Sequence, residues 1–305
     1  MKKDQFSRLK EDHNKALSDI INFFLVFPED DPEQYSAYFK SIFHDIDLLL
    51  AEQYYSEIIK IVSQDCFIYW FASLALADCF NLQGFYKKSI SAYSRIIKQV
   101  GNVSLFLLLA YSGRADVYFH LDEYDKALHD YAAIIESYPI IKENYSLEGK
   151  DFYKKLPFDS DPISAHERRA NIYYFKSMNE KEESRILEIN KMAIDEYSEA
   201  IQRSEETRCE QCYLERARLY VKINKLNDAI KDYTKIIKMA EKTKVSTSFL
   251  EAYKERIEIF IKKGKYLKAF LELLKKSKVK ESSFDYLTNA FVKDKEKNKY
   301  IILEE

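Results

Sequence analysis

The sequence predicts an all-α solenoid of about six stacked antiparallel helix pairs, with one helix before them and a capping helix after. Three observations carry this. One phrase recurs: Tyr86-Lys-Lys-Ser89-Ile-Ser-Ala-Tyr93, Tyr124-Asp-Lys-Ala127-Leu-His-Asp-Tyr131, Asn190-Lys-Met-Ala193-Ile-Asp-Glu-Tyr197, Leu226-Asn-Asp-Ala229-Ile-Lys-Asp-Tyr233 and Tyr266-Leu-Lys-Ala269-Phe-Leu-Glu-Leu273. In each, a large residue is followed three positions on by a small one and, usually, four later by an aromatic, which places all three on one helical face. The small residue admits a neighbouring helix and the large ones fill the space beside it. Next, a second small residue precedes each of the first four phrases: Ala77, Ala115, Ala170 and Ala217 are followed three residues on by Phe80, Tyr118, Tyr173 and Tyr220. Each repeat therefore has two helices. Lastly, 5 glycines and 5 prolines in 305 residues suit long helices joined by short turns.

Taken in order, Phe6, Leu9, Leu17, Ile20, Ile21 and Phe24 mark a first amphipathic helix, stopped at Pro28 and an acidic turn, so residues 1–35 form a leader to the stack. Asp31 and Pro32 read as an N-cap with proline in the first turn of the next helix. That helix runs to about Leu50. A third, from about Glu52 to Ser63, completes a degenerate pair with Tyr55 and Ile58 in the large and small slots. The repeats span 36–277, with pairs near 39–65, 70–101, 108–139, 163–204, 210–241 and 250–277. In the last, Ile257 replaces the small residue while Phe260 and Gly264 keep the aromatic and the turn, so the final helix spacing is expected to widen. Residues 281–305 hold the capping helix and a tail, with Phe284, Leu287 and Phe291 on one side and Ser282 and Asp285 as a capping box. Such a helix shields the open end of a stack.

These residues resemble the tetratricopeptide repeat family. The pair starting near Leu108 fits best, because Ala115, Tyr118, Tyr124, Ala127, Tyr131 and Pro139 stand where that family's small, aromatic and terminal-proline signature stands. The resemblance covers roughly Trp70 to Ser277 and implies a right-handed superhelix whose first helices line a concave binding side. It specifies fold and is nearly silent on function. The departures are a single tryptophan, a terminal proline found once, and irregular spacing against a norm of about 34 residues. The surplus lies in two insertions, 140–162 and 176–189, which bracket one pair from its two edges. They read either as flaps beside the binding surface or as lengthened helices and loops.

Catalytic and cofactor chemistry finds no foothold. Gly149-Lys150 lacks the rest of a phosphate loop, and the scattered glycines make no dinucleotide fingerprint. His166-Glu167 opens like a zincin motif, but Ala170 stands where the second histidine belongs. Cys209-Glu-Gln-Cys212 has thiolate-pair spacing without a second pair, and repeat register makes it core packing at the start of a first helix. No catalytic residue, metal or cofactor is expected. Four cysteines are too few for a disulfide framework in this length, and no window approaches the roughly 18 apolar residues of a spanning helix. No signal peptide is read, and a cytoplasmic protein is expected.

By register, the residue after each small one points into the concave side: Asp78, Asp116, Asn171, Arg218 and Glu258. One turn further stand Leu82, His120, Tyr174 and Phe175, Lys222 and Lys262, with Arg168 where a clamp arginine of the family would stand. Asp78 and Asp116 would repel a terminal carboxylate, so the family's carboxylate clamp is rejected. A peptide with a basic end and an apolar anchor near Tyr174 and Phe175 fits better.

Net charge is -2, from 48 basic and 50 acidic residues, so no global field draws nucleic acid or anionic membrane. The charge is nonetheless polarised: residues 1–65 hold 7 basic and 13 acidic side chains, residues 238–280 hold 13 and 5. Opposite ends of opposite sign permit a head-to-tail contact between copies. The lysines from Lys262 to Lys280 read first as a solvated face. The leading reading is a non-enzymatic scaffold that binds a peptide or protein segment. The alternatives are a nucleic-acid-associated factor using those lysines and a regulatory subunit or peptide sensor for an enzyme.

Overall fold

The computed structural model describes residues 48–64, 67–102, 104–147, 161–204, 209–243, 248–265 and 268–269. Among them are ten helices and no strand. We number them α1 (Leu48–Ile61), α2 (Phe67–Leu82), α3 (Tyr86–Gln99), α4 (Leu105–His120), α5 (Tyr124–Leu147), α6 (Pro162–Asn179), α7 (Glu183–Arg203), α8 (Glu210–Lys222), α9 (Leu226–Thr243) and α10 (Phe249–Lys262). The chain divides into an N-terminal body, Met1–Asn179, and a C-terminal body, Glu180–Glu305. In the first, α1 to α6 pack in sequence order; in the second, α7 to α10 do the same. The division falls inside the residues 163–204 that the sequence reads as one pair. The expected leader helix, the capping helix and most of the last pair's second helix lie outside the described residues.

The small slots are the crossings of the pairs. Ala77, Ala115, Ala127, Ala170, Ala193, Ala217, Ala229 and Ala269 are all fully buried. Where the slot holds Ser89, its hydroxyl donates to the Ala77 carbonyl of the facing helix at 2.9 Å, so the polar atom is satisfied across the crossing. Beside these lie the large fillers Tyr93, Leu108, Tyr131 and Ile134 in the N-terminal body and Leu214, Tyr233 and Ile236 in the other.

Four intra-pair turns share one geometry. Gly84, Asp122, Asn224 and Gly264 all have φ between 58° and 76°. The next residue donates back to the sixth-last carbonyl, as in Phe85 N to Phe80 O at 2.8 Å and Lys225 N to Tyr220 O at 2.8 Å. This is the Schellman closure, in which a left-handed residue lets the last carbonyls find donors. Glycine takes that conformation freely and Asn does not, so Asn224→Gly is expected to stabilise the C-terminal body by about 0.5–1 kcal/mol in a denaturant titration.

Two boundaries differ from the sequence reading. Leu48 to Leu50, expected to end one helix, belong to α1 with the residues after them. Pro139, expected to close its repeat, lies inside α5, which runs on to Leu147. A proline removes one helical hydrogen bond at a cost of about 3 kcal/mol, but fully buried Ile141 beyond it anchors the continuing turn. The described part of the second insertion is mostly helix: α6 extends to Asn179 and α7 starts at Glu183. The end of the first insertion also serves a helix. Asp161 caps α6, its carboxylate accepting from Ser164 N at 2.8 Å, and Pro162 takes the first helical position where no donor is needed.

Candidate functional site

In two pairs of the N-terminal body, the residue after the small Ala77 or Ala115 meets the tyrosine of the second helix. The Tyr93 hydroxyl of α3 donates to Asp78 Oδ1 of α2, and the Tyr131 hydroxyl of α5 donates to Asp116 Oδ1 of α4 at 2.5 Å. The tyrosine rings are core; their hydroxyls emerge on the first-helix face. Asp78 is accessible to water, yet the protein crowded around its carboxylate pushes it up to about 6, against the Tyr93 hydrogen bond that pulls it down, with the Asp116 charge adding to the rise. Tyr131 is raised by burial and by Asp116, while the Arg168 charge on α6 lowers it. Asp78, Tyr93, Asp116, Tyr131 and Arg168 thus form one electrostatically linked row.

Gly113 makes this row fit. A Cβ there would stand 2.5 Å from Tyr93 Cζ and 2.6 Å from its hydroxyl oxygen. The absence of a side chain on α4 is what lets the Tyr93 ring pass to Asp78.

Next to the row is an aromatic cluster. Phe119 stacks edge-on against Phe175 at 5.3 Å between ring centroids, and Tyr174 lies 5.9 Å from Phe175. Phe119 also contacts Tyr124 at 5.9 Å and His120 at 6.3 Å. A Lys176–Asp125 ion pair of 2.8 Å ties α6 to α5 beside it. Phe175 is 41 % exposed and Leu82, at the end of α2, is 70 % exposed, so apolar surface faces water on this body. Asn171 is half-buried on α6 and, like Arg168 and Tyr174, is engaged in contacts.

The C-terminal body handles the same register differently. Arg218 of α8 is committed to carboxylates: Glu215 at 2.9 Å, Glu255 at 2.7 Å and Glu251. These hold its guanidinium above the ordinary arginine range, with Glu255 contributing most. The Tyr233 hydroxyl donates to Glu255 Oε2 at 2.6 Å, so here the carboxylate comes from the following pair. A cavity of about 340 Å³ opens on this network, lined by Arg218, Val221, Tyr233, Glu255, Glu258 and Lys262 among others. Lys222 is exposed at the end of α8. Of the lysine run, Lys262, Lys265 and Lys268 are exposed, and Lys275, Lys276, Lys278 and Lys280 lie outside the described residues. Cys209 and Cys212 are both buried, the Cys209 thiol donating to the Ala200 carbonyl at 3.6 Å. No group of metal-binding side chains occurs among the described residues, and none of their helices is long and apolar enough to cross a membrane.

One recurring feature escaped the sequence reading. Arg114, just before the small Ala115, forks onto buried Asp130 of α5 through two bonds of 2.8 and 2.7 Å and donates to Ser94 of α3 at 2.8 Å. Arg216 repeats this with Asp232 at 2.8 Å twice and Ser198 at 2.9 Å, and Arg256 reaches Thr234 at 2.9 Å. Arg114 lies between the rings of Tyr111 and Tyr118, and Arg216 between those of Tyr213 and Tyr220. The signal was present as Tyr-x-x-Arg-Ala-x-x-Tyr, twice. Arg114 and Arg216 thus each tie their own pair to the helix before it.

No family model matches the sequence, and no curated protein does. Solved structures do. A tetratricopeptide repeat protein from Parabacteroides merdae ATCC 43184 is 15 % identical, covering 80 % of this chain and 77 % of that one, with a TM-score of 0.45. BtubC (BKLC) from P. vanneervenii is 14 % identical over 86 % of this chain and 96 % of its own, TM-score 0.49. MamA is 16 % identical over 67 % and 95 %, TM-score 0.43. These are likenesses of helical arrangement alone. The buried small-residue crossings, the four alike turns and the tyrosine slots are the chain's own evidence that it is built of repeated helix pairs.

Proposed function

We infer that the protein is a non-enzymatic interaction module that holds a peptide or protein segment on the first-helix face of its N-terminal body. The observation that carries this is the juxtaposition of two accessible aspartates, each with one oxygen occupied by a tyrosine hydroxyl, with an aromatic cluster whose Phe175 faces water. Carboxylates held in place by buried rings are preorganised to receive cations, and exposed aromatics supply an anchor at low entropic cost. The segment that fits has a basic side chain followed by an aromatic or aliphatic one.

Selection of displayed random peptides on the full chain tests it. Peptides pairing a basic residue with an apolar one should be enriched. Asp78→Asn with Asp116→Asn should weaken the best of them about tenfold, chiefly by loss of electrostatic complementarity. Affinity should also decline as pH falls through about 6, where Asp78 takes up its proton. Unchanged affinity in Asp78→Lys with Asp116→Lys would refute the reading.

A further inference from the structure

The cavity in the C-terminal body differs in chemistry from the first-helix face of the N-terminal body. Its floor is already satisfied: Arg218 is shared among Glu215, Glu251 and Glu255, and Glu255 also accepts from Tyr233. Lys254, itself engaged in a contact, completes one wall. Two charged groups remain. Glu258 and Lys262 stand one turn apart on α10, both exposed and both lining the cavity. At this spacing and in this order Glu and Lys commonly pair along a helix. Here, among the described residues, neither has an ion-pair partner. Against them lie Val221, the buried Ile259 and the Tyr233 ring, which form an apolar wall. A volume of about 340 Å³ falls in the range of sites for small molecules.

We propose that this cavity binds a free α-amino acid with an apolar side chain. Glu258 receives the ammonium, Lys262 receives the carboxylate, and Val221 and Ile259 receive the side chain. An anion alone would face Glu258, and a cation alone would face Lys262. A zwitterion answers both and itself brings no net charge to the cavity. The site uses no residue of the N-terminal body, where the peptide is placed, so the two readings stand or fall separately.

Calorimetric titration of the full chain with L-leucine, N-acetyl-L-leucine and L-leucinamide is the test. Leucine should bind saturably. The acetylated form, lacking the ammonium, and the amide, lacking the carboxylate, should each bind about tenfold more weakly or worse, the scale of one lost charge-assisted contact. Glu258→Gln should remove the penalty for acetylation and Lys262→Met the penalty for amidation; both sites are exposed, so folding is not at stake. Asp78→Asn with Asp116→Asn should leave leucine affinity unchanged even if peptide binding is lost. Absence of leucine binding at millimolar concentration, equal binding of leucine and its acetyl form, or indifference to both substitutions would overturn the proposal.

Discussion

Arg114→Met is expected to destabilise the N-terminal body by about 3–5 kcal/mol, because it strands a buried carboxylate. The Asp130 side chain is 1 % exposed, and besides Arg114 it has beside it the His129 imidazole, with Nδ1 at 3.6 Å on a side chain that is 80 % exposed. Trp70, the chain's single tryptophan, packs against the core of this body, so its fluorescence during denaturation follows the right transition. The pair is not irreplaceable. Arg114→Met with Asp130→Leu removes both charges and should recover most of the loss, since a well-packed apolar pair often matches a buried ion pair. A double variant as unstable as the single one would show that the Ser94 bond and the two flanking tyrosine rings, rather than the charge, hold these helices together.

Gly113→Ala is the second large effect, about 1–3 kcal/mol in the same body. The new methyl meets the end of a tyrosine ring that is 1 % exposed, so the ring cannot swing into water and must shift within the core. Better helix propensity, up to about 1 kcal/mol, offsets part of this. A shifted ring also releases Asp78, whose carboxyl loses the hydrogen bond that lowers it and moves further above about 6. An acid raised in the folded chain favours the fold when protonated. Its contribution is therefore full at low pH and declines as pH climbs from 3.8 through about 6. The variant should show that decline extended to higher pH, and carboxyl NMR should show Asp78 titrating later. Tyr93→Phe, which removes the hydroxyl without a clash, should reproduce the titration change without the full loss of stability.

What the sequence made legible is what repeats locally. Ala127 and Tyr131, or Ala229 and Tyr233, are spaced by the turn of one helix, so their shared face follows from period alone. Positions that owe their role to another helix were not legible. Arg218 reads as a free cation on the binding side, but Glu251 and Glu255, 33 and 37 residues on, consume it. Tyr93 and Tyr131 read as fillers, yet their hydroxyls occupy one oxygen each of Asp78 and Asp116. Pro139 reads as a stop because its local rule is strong; the buried Ile141 that overrides it lies beyond the signature. Gly113 offered no cue at all, since its meaning is the passage of a ring from a helix twenty residues earlier.

The arginine tie bears on how such a protein can be cut and rejoined. Arg114 needs an aspartate from its own hairpin and a serine from the one before, so a transplanted hairpin arrives with half its mooring left behind. The natural module for exchange is offset from the hairpin: it begins in the middle of one pair, at Ser94 or Ser198, and ends in the middle of the next. Chimaeras joined at that offset should keep their seams, while those joined at the short links between pairs would have to rebuild them.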